Sequence, residues 1–566
     1  MGLFGSLSVG TSGLSAAQMA LDVTGQNISN ANTEGYSRKR VSVVADFRKD
    51  GVMGQMGSGV NVTSVERYRN EFIDVQIQSQ VGEKGYYRQL DQAYERIENI
   101  FNEPSDTGLN EFLDNFWDSM HDLSNNPADL SSRELVAANT SALTTRFKSV
   151  ADELGALRSS VDNNLIAHVE TVNALTQRIS SFNNQIAAVE IGEKFNANDA
   201  RDQRDEAVKE LAKEIPIEMI EDASGRISIT SNGSILVGPS DRVELSMYRD
   251  TIQLDDGTES SELLIRFGNL SVQFKPERGE IGGLFAVRDE VLKEYEDTLD
   301  QFAHDLVKAV NEVHYEGYSL NQDTGIYFFD PAGTTAEKIS LSSHIKDDVS
   351  NIAAASGGKA SLPVIGTVAG VVLADGTIDI TDDIADPVNY NPRYTNILNG
   401  TVLVTLQPSG VELTEGPSAD YVVDYHNGQF NFVNGALLPP GTAVDIDFKY
   451  NDVGFGGVGD GSNAVEMAEL KNAIISSPDR LGTPTQSIGE FYSSFIGGLG
   501  IDRNEAISNS ETRDFILQQL MKRQDEVSGV SLDEEMANMI KYENSYQASA
   551  RFISKIDQML EILMNL

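Results

Sequence analysis

Three glycines, Gly454, Gly456 and Gly459, spell G-x-G-x-x-G between a strand-like and a helix-like run. That spacing lets a backbone turn cradle a dinucleotide pyrophosphate, provided a βαβ unit surrounds it and an acidic residue follows the second strand. Residues 464–475 and those from Thr485 onward have helical patterns instead, so the glycines read as an interdomain hinge. The six histidines are His121, His168, His304, His314, His344 and His426. None has the i, i+4 partner of a zinc helix, and His304 and His314 lie too far apart on one predicted helix to share an ion. Cysteine is absent, which removes disulfides, thiolate metal sites and Cys nucleophiles. There is no G-x-S-x-G elbow and no Walker loop. Acidic pairs such as Asp347-Asp348 and Asp382-Asp383 carry little information in a chain with 86 acidic residues. Asn321-Gln322-Asp323-Thr324-Gly325 lacks the EF-hand pattern and reads as a turn. Trp117, with Phe112, Leu113 and Phe116, makes an aromatic stripe at helical spacing, which reads as core packing. No constellation for catalysis, cofactor binding or metal binding emerges, so the expected protein is not an enzyme.

Composition narrows the partners. The 566 residues carry 43 basic and 86 acidic side chains, a net charge of −43. Such a chain has no basic surface for duplex nucleic acid or anionic lipid. It suits a protein that stays soluble while stored or exported unfolded. No run approaches the ~18 apolar residues of a membrane span. The start, MGLFGSLSVGTSG, lacks the basic and long apolar regions of a cleaved signal. Met1, Gly2 and Ser6 fit a myristoylation pattern, but the same residues belong to a helical stripe.

That stripe is the clearest positional signal. Leu3, Leu7, Gly10, Leu14, Ala17, Leu21, Thr24 and Ile28 alternate steps of four and three, the seam of a coiled coil. Asp22 is the only charged residue before Glu34, so the outer face that water would wet is missing. The far end mirrors it. Ser531 and Glu534 form a capping-box pattern, followed by Leu532, Met536, Met539, Tyr546, Ala550, Ile553, Leu560 and Leu563 at seam spacing. Glu543 and Asp557 interrupt that stripe. Helices of this kind are marginal alone and need a partner. The other end of the chain, joined by copies from neighbouring subunits, is the expected one. Residues 64–100, 131–190, 284–314 and 485–527 also have long helical patterns, while 216–282 and 361–450 alternate apolar and polar around turns.

One run is more specific. Gln26-Asn27-Ile28-Ser29-Asn30-Ala31-Asn32-Thr33-Glu34-Gly35-Tyr36-Ser37-Arg38 ends a helix in residues whose side chains compete for backbone hydrogen bonds, then turns at glycine. It resembles the signature of flagellar rod, hook and hook-associated proteins. Gly529–Ile540, followed by Tyr542 and Tyr546-Gln547-Ala548-Ser549-Ala550-Arg551, narrows the resemblance to the hook-associated members.

The resemblance implies a structural subunit of the extracellular flagellum at the junction of hook and filament, exported unfolded through a type III apparatus. Its implied partners are copies of itself, the hook protein, a second junction protein and an export chaperone at the C-terminal end. The seam positions would pack between subunits, and Asn27, Asn30, Asn32 and Gly35 would form the turn. A hook or distal-rod subunit, and a surface adhesin carried on 361–450, remain as alternatives. The expected fold is α+β and multidomain: terminal coiled-coil helices and an elongated helical bundle, with inserted β-rich outer domains. The expected divisions are 1–33 plus 531–566 for the terminal core, and 34–215 plus 283–360 plus 455–530 for the bundle. Residues 216–282 and 361–454 would form two β-rich domains.

Overall fold

The computed structural model describes the chain except for residues 1–2, 34, 52–53, 191–195, 254–258, 269–271, 357–363, 372–376, 380–402, 407–410, 414–420, 425–428, 433–442, 451–458, 477–484 and 565–566. Gly454 and Gly456 of the expected hinge, the pair Asp382-Asp383 and His426 therefore lie outside the described residues.

Helix α1 (Leu3–Ser29) leads into the strands β1 (Lys39–Gly51) and β2 (Gly54–Arg67). Helices α2 (Glu71–Phe101), α3 (Leu109–Asn125), α4 (Leu130–Val189) and α5 (Asn198–Glu214) follow. Strands β3 (Glu218–Glu221), β4 (Ile227–Ser231), β5 (Ser234–Val237), β6 (Leu245–Gln253) and β7 (Glu259–Phe267) come next. Then come α6 (Gly279–Ala286), α7 (Leu292–Glu316) and the short α8 (Ser343–Asp347). Strands β8 (Val364–Val371), β9 (Thr377–Asp379), β10 (Leu403–Leu406), β11 (Val411–Leu413), β12 (Tyr421–Asp424), β13 (Gln429–Phe432) and β14 (Ala443–Tyr450) precede α9 (Ser462–Glu469). The long helices α10 (Ile488–Ser528) and α11 (Leu532–Met564) close the chain. The fold is mostly helical, with small sheets.

The residues divide into two compact units. The first comprises Met1–Glu95, Leu157–Leu292 and Ile501–Leu566. Its part of α4 buries Val161, Leu165, Val169, Val172, Ile179 and Ile186, successive steps of three, four or seven that keep one face inward. Its sheets are the antiparallel β3-β4-β5 and the pairs β6-β7 and β1-β2. Ile227, Ile229 and Ser231 of β4 are buried in alternation, as a half-buried strand requires. Two asparagines of α4 join helix to sheet. Asn183 donates to Ile227 O (2.7 Å) and accepts from Ile227 N (3.1 Å), and Asn173 treats Leu245 the same way at 2.9 and 2.8 Å. Each amide side chain completes a strand's backbone hydrogen bonding where a neighbouring strand would otherwise be needed.

The second unit comprises Arg96–Ala156 and Lys293–Gly500. Its core is aromatic. Phe101 meets Phe495 edge-on at 5.1 Å, and Phe302 stacks on Phe491 and Tyr492 at 5.9 and 5.4 Å. Trp117 is buried 4.7 Å from Phe116, as core rather than ligand platform. His314 is fully buried between loops, its Nδ1 bonded to Ile326 O at 2.8 Å and its Nε2 accepting from Ala353 N at 2.8 Å. Strands β11-β10-β14-β8 and β12-β13-β9 form its two larger sheets.

One element departs from expectation. Residues 39–67, expected within the helical bundle, form the β1–β2 hairpin, with Lys39 opposite Arg67 and Val41 opposite Val65. The cause is visible in composition. Val41, Val43, Val44, Val60, Val62, Thr63 and Val65 are β-branched, stiff at χ1 and suited to a pleated surface.

Candidate assembly interface

Helices α1 and α11 pack antiparallel in the first unit: Gly10 lies against Ile553, Gly13 against Ser549, and Asn27 against Glu535. The approach is close because α1 contributes small side chains. Gly10, Ala16, Ala17, Ala20, Val23 and Thr24 are its buried residues before Asn27. The hairpin closes on the same helix. Gly59, at φ +114°, sits over Val9 and Ser12, and Val60 N donates to Ser12 Oγ at 3.2 Å. A β-carbon at residue 59 would meet the Ser12 hydroxyl, so glycine is required there for both space and backbone angle.

A polar lock lies at the foot of the pair. Asn27 is 1% exposed. Its Oδ1 accepts from Lys39 N (3.0 Å) and from the Tyr36 hydroxyl (2.9 Å). Its Nδ2 donates to Lys39 O (2.9 Å) and to Glu535 Oε2 (3.0 Å). Glu535, 2% exposed, also receives Arg38 Nε at 2.9 Å and a second guanidinium nitrogen at 2.7 Å. Arg38 further reaches Glu534 at 2.8 Å. Burial works against the Arg38 charge, but the hydrogen bonds to Glu535 and Glu534 outweigh it and hold its pKa above the ordinary value. Burial, then Asp202, Asp199 and Glu535, pushes the Tyr36 hydroxyl up to about 12, so it remains a proton donor to Asn27. Lys39 pairs with Asp199 and lies 4.8 Å over the Tyr36 ring. Below the lock, Arg67 bridges Asp202 (2.7 Å) and Asp205 (2.9 Å), and Arg69 joins Asp74 (2.7 Å) and Asp205, tying β2, α2 and α5 together.

The sequence-derived residues fall into three groups. Gly35 makes the turn, at φ +76°. Asn30 bonds back to Gln26 O at 2.9 Å within the helix end, and Asn32 is exposed. Ala17 is buried, while Leu7, Leu14, Leu21 and Ile28 of α1 are half-buried; the side chain of Leu3 is outside the described set. On α11, Met539, Ile553 and Leu560 are half-buried, whereas Leu532, Met536, Tyr546, Ala550 and Leu563 are exposed. The face that α11 turns to α1 runs instead through Glu535, Ser549, Ile553 and Ile556. Thus α11 has one side filled within the chain and leaves large apolar side chains exposed elsewhere along its length. Ser531 Oγ accepts from Glu534 N at 3.5 Å, but the Glu534 side chain turns to Arg38.

Sequence reasoning assigned no role to Arg38, Tyr36, Lys39 or Glu535. Tyr36 and Arg38 stood in the first quoted motif, which Lys39 directly follows, and Glu535 stood in the second, Gly529–Ile540, with nothing to distinguish it from its neighbour Glu534. Elsewhere in the first unit, His168 lies 2.5 Å from Glu214 and 3.4 Å from Glu280, a set close enough for a metal ion. Arg88 and Lys213 already pair with Glu280, so the cluster reads as a neutralised ion network.

Comparisons with known proteins find flagellar axial proteins. A family model described as the flagellar hook-associated protein FlgK helical domain matches residues 94–329. Models of the flagella basal body rod protein and of the flagellar basal body rod FlgEFG protein C-terminal region match 7–36 and 523–566, the two partners of the lock. The chain is 28% identical over 600 aligned positions to flagellar hook-associated protein 1 of Bacillus subtilis, covering 99% of this chain and 98% of that one. The Salmonella typhimurium counterpart is 26% identical over 590, with 98% of each covered. The structure of the flagellar hook junction protein FlgK from Burkholderia pseudomallei aligns over 80% of this chain and 100% of that chain, with a TM-score of 0.55 and 17% identity, a likeness of fold.

Proposed function

The chain belongs to the flagellar hook-associated protein family, and on that premise we propose that its locked terminal helices are the part by which it builds into the flagellum. It is a structural, non-enzymatic subunit of the extracellular hook–filament junction. The observation that carries the assembly reading is the exposed apolar surface that α11 keeps outside its contact with α1. Met536 and Ile540, at 51 and 61% exposure and four residues apart, share one exposed side of a helix whose side towards α1 is already filled. Large apolar side chains left in water along one helix mark a surface awaiting a partner. Copies of this chain, in a ring or short helical zone, are the occupants that fit, with the hook protein below and a second junction protein above. Before assembly an export chaperone covers the C-terminal end.

Removing residues 531–566 tests this. Cells carrying the truncated chain should keep hooks but shed flagellin, and the isolated chain should retain the buried-tryptophan signal of Trp117 in the second unit. A truncated chain that still joined hook to filament would overturn the assembly role of α11. Immunogold label spread along the hook rather than at its tip would overturn the position.

A further inference from the structure

The α1 surface that meets α11 has little relief. Glycine and alanine occupy most of its buried positions, and small side chains recur at heptad intervals (Gly10, Ala17 and Thr24 are each seven apart). Sliding α11 by one heptad would set similar small residues against it. Packing alone therefore discriminates weakly between registers, the situation in which one buried polar contact fixes alignment.

We propose that Asn27 and Arg38 form a preorganised carboxylate receptor that sets the register of the terminal helix pair by admitting one glutamate, Glu535. The receptor's donors lie within residues 27–39, and it is held from Tyr36, Lys39, Tyr68 and Ser528, none of them on α11. Asn27 is oriented by three bonds that owe nothing to α11: both backbone groups of Lys39 and the Tyr36 hydroxyl. Arg38 is held through its backbone, donating to Ser528 O at 2.9 Å and accepting from Tyr68 N at 2.8 Å. What remains unsatisfied in that arrangement is one amide hydrogen and the edge of one guanidinium, both facing the same point. A carboxylate fits it, one oxygen to each, as Glu535 does. A shift of one heptad would set the neutral Tyr542 where Glu535 sits, so the half-buried Arg38 guanidinium would lose its charged partner there. Asn27 and Arg38 are thus positioning residues. The proposal takes its purpose from the reading of the terminal pair as assembly core, but its test uses the free chain, so the two can fail separately.

The absence of native cysteine makes the register directly readable. In the full chain, Gly13→Cys with Ser549→Cys places two thiols together, since a β-carbon at residue 13 lies 3.2 Å from Ser549 Oγ. Oxidation should cross-link this pair efficiently, and should not cross-link Gly13→Cys with Ile556→Cys. Adding Glu535→Ala should spread cross-links to the 13/556 pair. Moving the acid by one heptad, with Glu535→Ala and Tyr542→Glu together, should make 13/556 the dominant link. The Trp117 emission maximum, a reporter in the second unit, should stay unchanged throughout and so exclude global unfolding. Links that stay at 13/549 in both variants would show that packing sets the register. Loss of all links with Trp117 unperturbed would make Glu535 a stabiliser only, and would equally overturn the proposal.

Discussion

Gly10 of α1 faces Ile553 of α11 with no room for a side chain: a β-carbon there would lie 2.8 Å from Ile553 Cγ1 and 3.1 Å from Phe552 Cδ1. The alanine variant gains helix propensity, which offsets part of the cost of displacing Ile553, so it should weaken the pair mildly. Gly10→Val cannot be absorbed so easily. It should weaken the terminal pair by about 1–3 kcal/mol, the usual cost of overpacking, and be seen as faster amide exchange along α11 with α4 unaffected.

Asn183 should be the more expensive of the helix-to-strand links. It is 1% exposed and satisfies both backbone groups of Ile227, besides contacting Arg204 at 3.4 Å. Asn183→Leu leaves a buried N–H and C=O unpaired and should cost about 2–4 kcal/mol by chemical denaturation of the first unit. Asn183→Asp keeps the acceptor and loses the donor, so it should fall between the two.

Acid should loosen the second unit through His314. Burial, aided by nearby Arg133 and opposed by the bond to Ile326 O, pushes its pKa down from 6.5 to about 4. The unfolded chain therefore takes up this proton before the folded one does. Stability from this group is complete above about pH 6.5 and is lost as pH falls towards 4, by about 3 kcal/mol in all. Urea midpoints followed by Trp117 fluorescence should drop between pH 6.5 and 5, and the drop should be smaller in His314→Gln.

Tyr492 donates to Glu103 Oε1 at 2.8 Å from a largely buried position, and burial and then that carboxylate raise its pKa well above the ordinary value. Tyr492→Phe keeps the stacking on Phe302 and removes the donor. A loss of about 1–2 kcal/mol is expected for a hydrogen bond to a charged group, with no change in filament joining. A motility defect at normal protein levels would contradict a purely structural role for this contact.

Much of the helical plan was legible because it is written in local periodicity. The pattern over 131–190 became α4 almost residue for residue, and Ser531 marks the start of α11. The hairpin at 39–67 was also legible in its valines, but long helical runs on either side drew it into the wrong class. Asn27 was harder. By local rules a helical asparagine before a glycine is a turn-former, yet its amide serves as backbone partner to a residue 12 positions on and ligand to one 508 positions on. Glu535 stands inside the run Gly529–Ile540, but nothing there separates it from Glu534, because its significance lies in what folds against it. Nor can periodicity tell which apolar residues of α11 are covered by the same chain and which stay exposed.

The span of that last contact has a consequence in time. A bond between residues 508 positions apart cannot form until nearly the whole chain is free to fold, and closing so long a loop carries an entropic cost that short-range structure does not. Everything between the two ends has the opportunity to fold first. The assembly-competent end is then the last part to be finished, and a chain emerging from a ribosome or threading a narrow conduit has no closed terminus with which to polymerise early. On the proposed assembly role, the lock closes only in a chain whose two ends have both been delivered.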